Sequence, residues 1–103
     1  MEIKEAQEKV DESIKRWGGY WEHLSMMARM TEEVGELARA MNIKYGGKKS
    51  KFEGDGREIE EELSDVFLTV LAIANKEGID LSEEFISKIN KSDESYSKVY
   101  GEK

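Results

Sequence analysis

Hydrophobic residues recur every three or four positions along most of the chain, a period that predicts helices rather than a sheet. Gly18 should end the first helix, and Gly78 fits the C-terminal cap of the third. The spacing from Asp80 to Glu83 fits a capping box at the start of the fourth. Four helices are therefore predicted, over about residues 2–17, 20–45, 57–77 and 80–97. We expect residues 1–103 to form a single all-α domain, a four-helix bundle-like unit.

The third predicted helix is apolar on more than one side. Leu68, Leu71 and Ala72 lie on one side. The opposite, broader face carries Ile59, Leu63, Val66, Phe67, Val70, Ile73 and Ala74. A helix that is apolar all round is usually buried all round. Because a chain of 103 residues can hardly bury both faces alone, we expect a homo-oligomer, a dimer or tetramer, that associates through this helix.

Composition excludes several classes of protein. The formal net charge of −7 argues against non-specific binding of nucleic acid. The chain has no Cys and a single His, His23, which excludes thiolate and multi-histidine metal sites. No apolar stretch is long enough to span a membrane, and the N-terminal residues do not resemble a signal peptide, so we expect a cytoplasmic protein.

One carboxylate stands inside the longest apolar run of the sequence. Residues 63–74, LSDVFLTVLAIA, carry a single formal charge, that of Asp65. A carboxylate in such a run is costly to bury unless a cation or hydrogen bonds compensate its charge. Asp65 is therefore predicted either to share a divalent metal ion or to accept a hydrogen bond from a neighbouring helix.

Two pairs of acids have the spacing of neighbours on a helix. Glu33 and Glu36 are three residues apart, and so are Glu62 and Asp65, so each pair presents two oxygens to one point. Facing helices would bring the pairs together as a four-carboxylate cage, and Glu32 adds a fifth acid. Oxygen ligands without nitrogen or sulfur suit Mg²⁺, with Mn²⁺ as the second candidate ion.

Acids at this spacing are also common on solvated helix faces, because Glu is a good helix former. Arg29, three residues before Glu32, offers that residue an ordinary surface ion pair. We take the solvated interpretation for Glu58, Glu60 and Glu61. A di-iron carboxylate bundle would need Glu-x-x-His pairs, and the sequence has none.

The acids follow the pattern EExxE, twenty-five intervening residues, then ExxD, at Glu32, Glu33, Glu36, Glu62 and Asp65. The segments YWEHLSMMARMTEEVGELARAMNIKYGGKK and EEELSDVFLTVLAIANKEGIDL surround these acids. In these features the chain resembles the compact, single-domain members of the MazG-like nucleotide pyrophosphohydrolases, within the all-α NTP pyrophosphatase superfamily, and the resemblance covers about residues 7–91.

The resemblance implies an enzyme that hydrolyses a nucleoside or deoxynucleoside triphosphate between its α- and β-phosphates. It implies that Mg²⁺ is held by Glu33, Glu36, Glu62 and Asp65, and that Glu32 orients or deprotonates the attacking water. Housecleaning of the nucleotide pool would be the physiological role. The alternative is a non-catalytic nucleotide- or metal-binding regulator on the same fold.

Substrate-binding residues are expected late in the fourth helix, where the resemblance implies contacts to phosphate and sugar from Lys88, Asn90 and Lys91. A solvated lysine face is the other interpretation. Members often carry Asn and Arg just after this point, whereas this chain has Ser92 and Ser95, a departure that is compatible with altered nucleotide choice, with weaker activity or with the regulator. Other candidate cations lie in the Gly-rich loop, at Lys48, Lys49 and Lys51.

Aromatic residues gather where the first helix meets the second, at Trp17, Tyr20 and Trp21, with His23 close by. Aromatic rings stack on nucleobases, which makes Trp21 a candidate for substrate binding. Aromatic residues at the corner of a bundle also serve as core, and a lone His is usually a surface or junction residue.

Overall fold

The computed structural model describes residues 1–46 and 58–101, and every regular element within them is a helix. The all-α prediction is therefore confirmed. The four helices are α1 (Ile3–Arg16), α2 (His23–Tyr45), α3 (Glu58–Glu77) and α4 (Leu81–Tyr100). The largest differences from the predicted bounds are a later start of α2 and a later end of α4. None of the helices in the described ranges is long and apolar enough to cross a membrane.

Helices α1, α2 and α3 pack around a small apolar core. The cluster of Ile14, Met26 and Ala72 draws one buried side chain from each of the three helices. Helices α2 and α3 run in opposite directions, because Met26 near the start of α2 meets Ala72 near the end of α3, whereas Glu33 meets the beginning of α3. This antiparallel packing places the middle of α2 opposite the first turns of α3.

A buried glutamine joins α1 to the turn between α3 and α4. Gln7 is only 8% exposed, and its Nε2 donates to Asn75 Oδ1 at 3.0 Å and to the carbonyl of Ile79 at 2.9 Å. Its Oε1 accepts from the backbone N–H of Leu81 at 3.1 Å. Gly78 adopts the expected left-handed conformation, with φ of 69°. Gln7 therefore fixes the position from which α4 departs.

The single chain leaves much of its apolar surface uncovered. Helix α4 packs mainly against α1 and has no buried residue, and Phe85 and Ile86 are 50% and 60% exposed. On α3, Leu63 and Phe67 are 52% and 48% exposed, although Leu71 is buried. The expectation that α3 is buried on all sides is therefore not met within one chain, and association of copies stays a prediction.

Candidate functional site

Three carboxylates meet where the middle of α2 faces the first turns of α3. Glu33, Glu62 and Asp65 each offer one oxygen, and these oxygens lie within 4.8 Å of one another. We call these three residues the acidic cluster. Glu36, one turn after Glu33 on α2, contacts the side chain of Glu62. The structure thus brings together three of the four predicted metal ligands and places the fourth beside them.

The electrostatics of the acidic cluster are unfavourable without a cation. Burial, and next the charge of Asp65, raise the pKa of Glu33, which is 6% exposed. Burial, and then the contact with Glu36, raise the pKa of Glu62. Oε2 of Glu33 and Oε2 of Glu62 are both buried and have no hydrogen-bond partner among the described residues. Buried, unpaired carboxylate oxygens in one cluster are the donor set that a hard divalent cation fits.

The burial argument for Asp65 is wrong for the single chain. Asp65 is exposed, and Leu63 and Phe67 on either side of it are about half exposed. The reason is that α2 covers only one side of the first turns of α3, and Asp65 reaches the cluster from the rim. The most deeply buried carboxylate is Glu33 on α2, and on α3 it is Glu62, not Asp65, whose Oε2 is buried.

The alternative interpretation of Glu32, a surface ion pair with Arg29, is not seen among the described residues. Nε of Arg29 lies 3.1 Å from Oε1 of Glu33, one helical turn further on. Glu32 is exposed, and its charge is among those that raise the pKa of Glu33. Glu32 therefore stands next to the acidic cluster, and its role toward water stays a prediction.

An aromatic cavity lies beside the acidic cluster. It has a volume of about 210 Å³, and its walls include Ile14, Trp17, Tyr20, Trp21, Arg29 and Ala72. The guanidinium carbon of Arg29 lies 4.9 Å from the centroid of the Trp21 ring. Trp17 and Trp21 are 65% and 50% exposed, so neither ring is the core residue that was the alternative interpretation. Tyr20, by contrast, packs against the core.

The segment that carries Trp21 is held against the end of α3. Nζ of Lys76 donates to the carbonyl of Trp21, and Nε2 of His23 lies 2.8 Å from a carboxylate oxygen of Glu77. His23 is therefore a junction residue in this structure. Sequence reasoning missed Lys76, since nothing in the pattern links the two segments. The pair of Arg29 and Glu33 could have been predicted from the sequence, because the two residues are four apart on one helix.

Among the described residues, the predicted substrate residues of α4 make no hydrogen bond or ion pair with the acidic cluster or the cavity. Lys88, Asn90 and Lys91 are exposed, and neither lysine forms an ion pair with the acidic cluster in the described part of the chain. Ser92 is half-buried and Ser95 is exposed. The loop lysines Lys48, Lys49 and Lys51 lie outside the described residues.

The fold and the site define an all-α protein with an acidic cluster between its second and third helices. The chain matches the MazG nucleotide pyrophosphohydrolase domain over residues 21–99, and it belongs to that family. A relative, the uncharacterized protein YpjD of Bacillus subtilis (strain 168), is 44% identical over 82 residues, which are 79% of this chain and 74% of YpjD.

Two solved structures are similar to this one. The crystal structure of YpjD from Bacillus subtilis has a TM-score of 0.78 and 41% identity, and the match covers 88% of this chain and 94% of that one. The crystal structure of the Bacillus-conserved MazG protein, described as a nucleotide pyrophosphohydrolase, has a TM-score of 0.76 and 41% identity. That match covers 88% of each chain.

Proposed function

We propose that this protein is a Mg²⁺-dependent pyrophosphohydrolase that converts a nucleoside or deoxynucleoside triphosphate to the monophosphate and pyrophosphate. Membership of the MazG family supports a hydrolase acting on pyrophosphate bonds. The observation that carries the proposal is the pair of buried, unpartnered Oε2 atoms on Glu33 and Glu62. Unpaired carboxylate oxygens are costly to bury, and a cation shared between them would remove that cost.

The acids divide into ligands and a base. Glu33, Glu62 and Asp65 would hold Mg²⁺, or Mn²⁺ as the second ion, and Glu36 would complete the set from beside Glu62. Bound Mg²⁺ neutralises charge on the phosphate oxygens and lowers the pKa of a coordinated water. Glu32 is exposed one position before Glu33, where its carboxylate would accept the proton of the attacking water.

The aromatic cavity is the part of the single chain best suited to a nucleobase. The ring of Trp21 offers a half-exposed face, and Arg29 connects the cavity to the acidic cluster. We assign contacts with phosphate and sugar to Lys88, Asn90 and Lys91. Replacing Lys88 by Met should raise KM more than it lowers kcat. Lys98→Met is the control and should change neither constant, because Lys98 is an exposed lysine that pairs with Glu94 on the same helix.

Association of copies belongs to the same proposal. Apolar side chains on α3 and α4, including Leu63, Phe67, Phe85 and Ile86, are about half exposed in one chain. A homo-oligomer formed through α3 would remove that surface from water, at a gain of about 25 cal/mol for each Å². Sedimentation equilibrium should therefore give a dimer or tetramer mass, and Phe67→Glu should shift it toward the monomer.

The enzymatic proposal is tested by incubating the protein and Mg²⁺ with each NTP and dNTP and measuring release of pyrophosphate. At least one nucleotide should be cleaved, and Asp65→Asn and Glu36→Gln should each lower the rate by at least about 100-fold. Glu61→Gln removes the same charge from an exposed site on α3 and should leave the rate unchanged. Equal rates for Asp65→Asn and the wild type would refute the site.

The alternative is a non-catalytic regulator that binds nucleotide or metal without turnover. It is favoured by Ser92 and Ser95, which stand where members of the family often carry Asn and Arg. The same panel separates the two functions, because a regulator would bind a nucleotide in calorimetry and release no pyrophosphate from it.

A further inference from the structure

One arginine belongs to both the acidic cluster and the aromatic cavity. Nε of Arg29 lies 3.1 Å from Oε1 of Glu33, and the same guanidinium lies 4.9 Å from the centroid of the Trp21 ring. Glu33 is almost fully buried, whereas the Arg29 side chain is 45% exposed. A planar cation in this position can bond a carboxylate along its edge while its face covers an aromatic ring.

Arg29 occupies only one of the two oxygens of Glu33. Oε2 of Glu33 is buried and without a hydrogen-bond partner among the described residues, which leaves it available to an ion. Arg29 thus fixes the orientation of this ligand, as hydrogen-bonding partners of metal ligands generally do.

The surroundings of the Trp21 ring depend on this contact. The Trp21 backbone is held by Lys76, but the ring itself is half exposed. Since the guanidinium covers one face of the ring, a movement of Arg29 changes both the polarity and the solvation of the indole. Any event that changes the contact between Arg29 and Glu33 should therefore change the polarity and solvation around the Trp21 indole.

We propose that Arg29 is a positioning residue that couples the acidic cluster to the aromatic cavity, so that a divalent cation at Glu33 alters the wall of the cavity at Trp21. A cation held by Oε2 of Glu33 would fix the carboxylate whose Oε1 lies beside Arg29, and this would change how the guanidinium is shared between Glu33 and the ring. By linkage, a ligand stacked on Trp21 changes the affinity of the cluster for the cation by the same factor. The inference rests on the proposed metal site and adds a residue outside its ligand set.

The test uses Trp21 as its own reporter. The chain has two tryptophans, so Trp17→Phe leaves Trp21 as the only one. This single-tryptophan protein is titrated with Mg²⁺ alone, without nucleotide, and binding is measured in parallel by calorimetry. We expect the Trp21 emission to change and to saturate with the calorimetric Kd.

Removal of Arg29 should separate the two signals. Arg29→Met in the Trp17→Phe background should weaken Mg²⁺ binding by about 10- to 100-fold, and the Trp21 emission should no longer follow occupancy. Arg29→Lys keeps the positive charge but lacks the planar guanidinium, and it should restore part of the affinity for Mg²⁺. This variant also provides the test if Arg29→Met does not fold. Lys44→Met is the matched control, since it removes a cation that lies 5.2 Å from the centroid of the Tyr45 ring on the same helix.

Three results would overturn the inference. Calorimetric Mg²⁺ binding without any change in Trp21 emission would refute the coupling and leave the metal site standing. An equal emission change and an equal Kd in the Arg29→Met protein would refute the role of Arg29 alone. Absence of Mg²⁺ binding in the wild type would refute both this inference and the proposed function.

Discussion

Repulsion within the acidic cluster should make the cation-free protein less stable than a variant with one charge fewer. Glu62 is the cleanest position for this change, because its Oε2 is buried and unpartnered and no cation is paired with it among the described residues. One of its oxygens lies within 4.8 Å of an oxygen from each of Glu33 and Asp65. Glu62→Gln keeps the shape of the side chain and removes its charge.

The size of the effect follows from the spacing of the oxygens. Two unit charges 4.8 Å apart repel by about 1 kcal/mol in water and by about 3.5 kcal/mol at an effective dielectric constant of 20. Because Asp65 is exposed, the lower half of this range applies to that pair. We expect Glu62→Gln to stabilise the cation-free fold by about 1–3 kcal/mol. In a domain of this size, each kcal/mol should raise the Tm by about 4–8 °C.

The assay is thermal unfolding followed by circular dichroism, first in EDTA and then in saturating Mg²⁺. Glu61→Gln is the matched control, since Glu61 is exposed in the same first turn of α3 and lies outside the cluster. In EDTA its Tm should match that of the wild type, because surface substitutions usually change the free energy of unfolding by no more than about 0.5 kcal/mol. Mg²⁺ should raise the Tm of the wild type and of Glu61→Gln far more than that of Glu62→Gln.

An unchanged or lower Tm of Glu62→Gln in EDTA would refute the claim that the cluster carries unrelieved repulsion. An equal gain from Mg²⁺ in Glu62→Gln and the wild type would refute Glu62 as a ligand.

Two further predictions concern pH and the α1–α4 connection. Burial raises the pKa of Glu33 and Glu62, so the folded state binds their protons more tightly than the unfolded state does. In EDTA, the free energy of unfolding measured with urea should therefore increase as the pH falls from 8 toward 5. The slope of this free energy against pH should be smaller in Glu62→Gln. A stability that decreases over this range in the wild type would contradict it. Gln7→Leu strands the Leu81 N–H and the Ile79 carbonyl, and should cost about 1–3 kcal/mol in urea unfolding for each group left buried. The exposed neighbour Glu8→Gln should cost nothing measurable, and a Gln7→Leu protein as stable as the wild type would refute the network.

The helices could be predicted from local sequence because their ends carry local signals. Gly18 has a positive φ of 109°, and the Asp80 side chain accepts a hydrogen bond from the N–H of Glu83 at 3.3 Å, which is one of the two bonds of the predicted capping box. The position of α4 could not be predicted in this way. It depends on Gln7, whose bonds reach across more than sixty residues of the sequence.

The acidic cluster was predictable in membership but not in electrostatics. The spacing of three residues places Glu62 and Asp65 on one side of α3, and an antiparallel α2 brings Glu33 to them. Which of these acids is buried depends on how far α2 covers α3, and this is a property of packing between helices. For the same reason the sequence left a pair between Arg29 and Glu32 open as an alternative, whereas in the structure Arg29 pairs with Glu33, a member of the cluster.

The central claim is that the acidic cluster uses Mg²⁺ to cleave a nucleoside triphosphate between its α- and β-phosphates. ³¹P NMR of the best substrate from the nucleotide panel tests it most directly, because monophosphate, diphosphate, pyrophosphate and phosphate give separate signals. With wild-type protein and Mg²⁺, monophosphate and pyrophosphate should appear in equal amounts, and Asp65→Asn or excess EDTA should abolish both. Diphosphate with free phosphate as the first products, or turnover that persists in EDTA, would contradict the account.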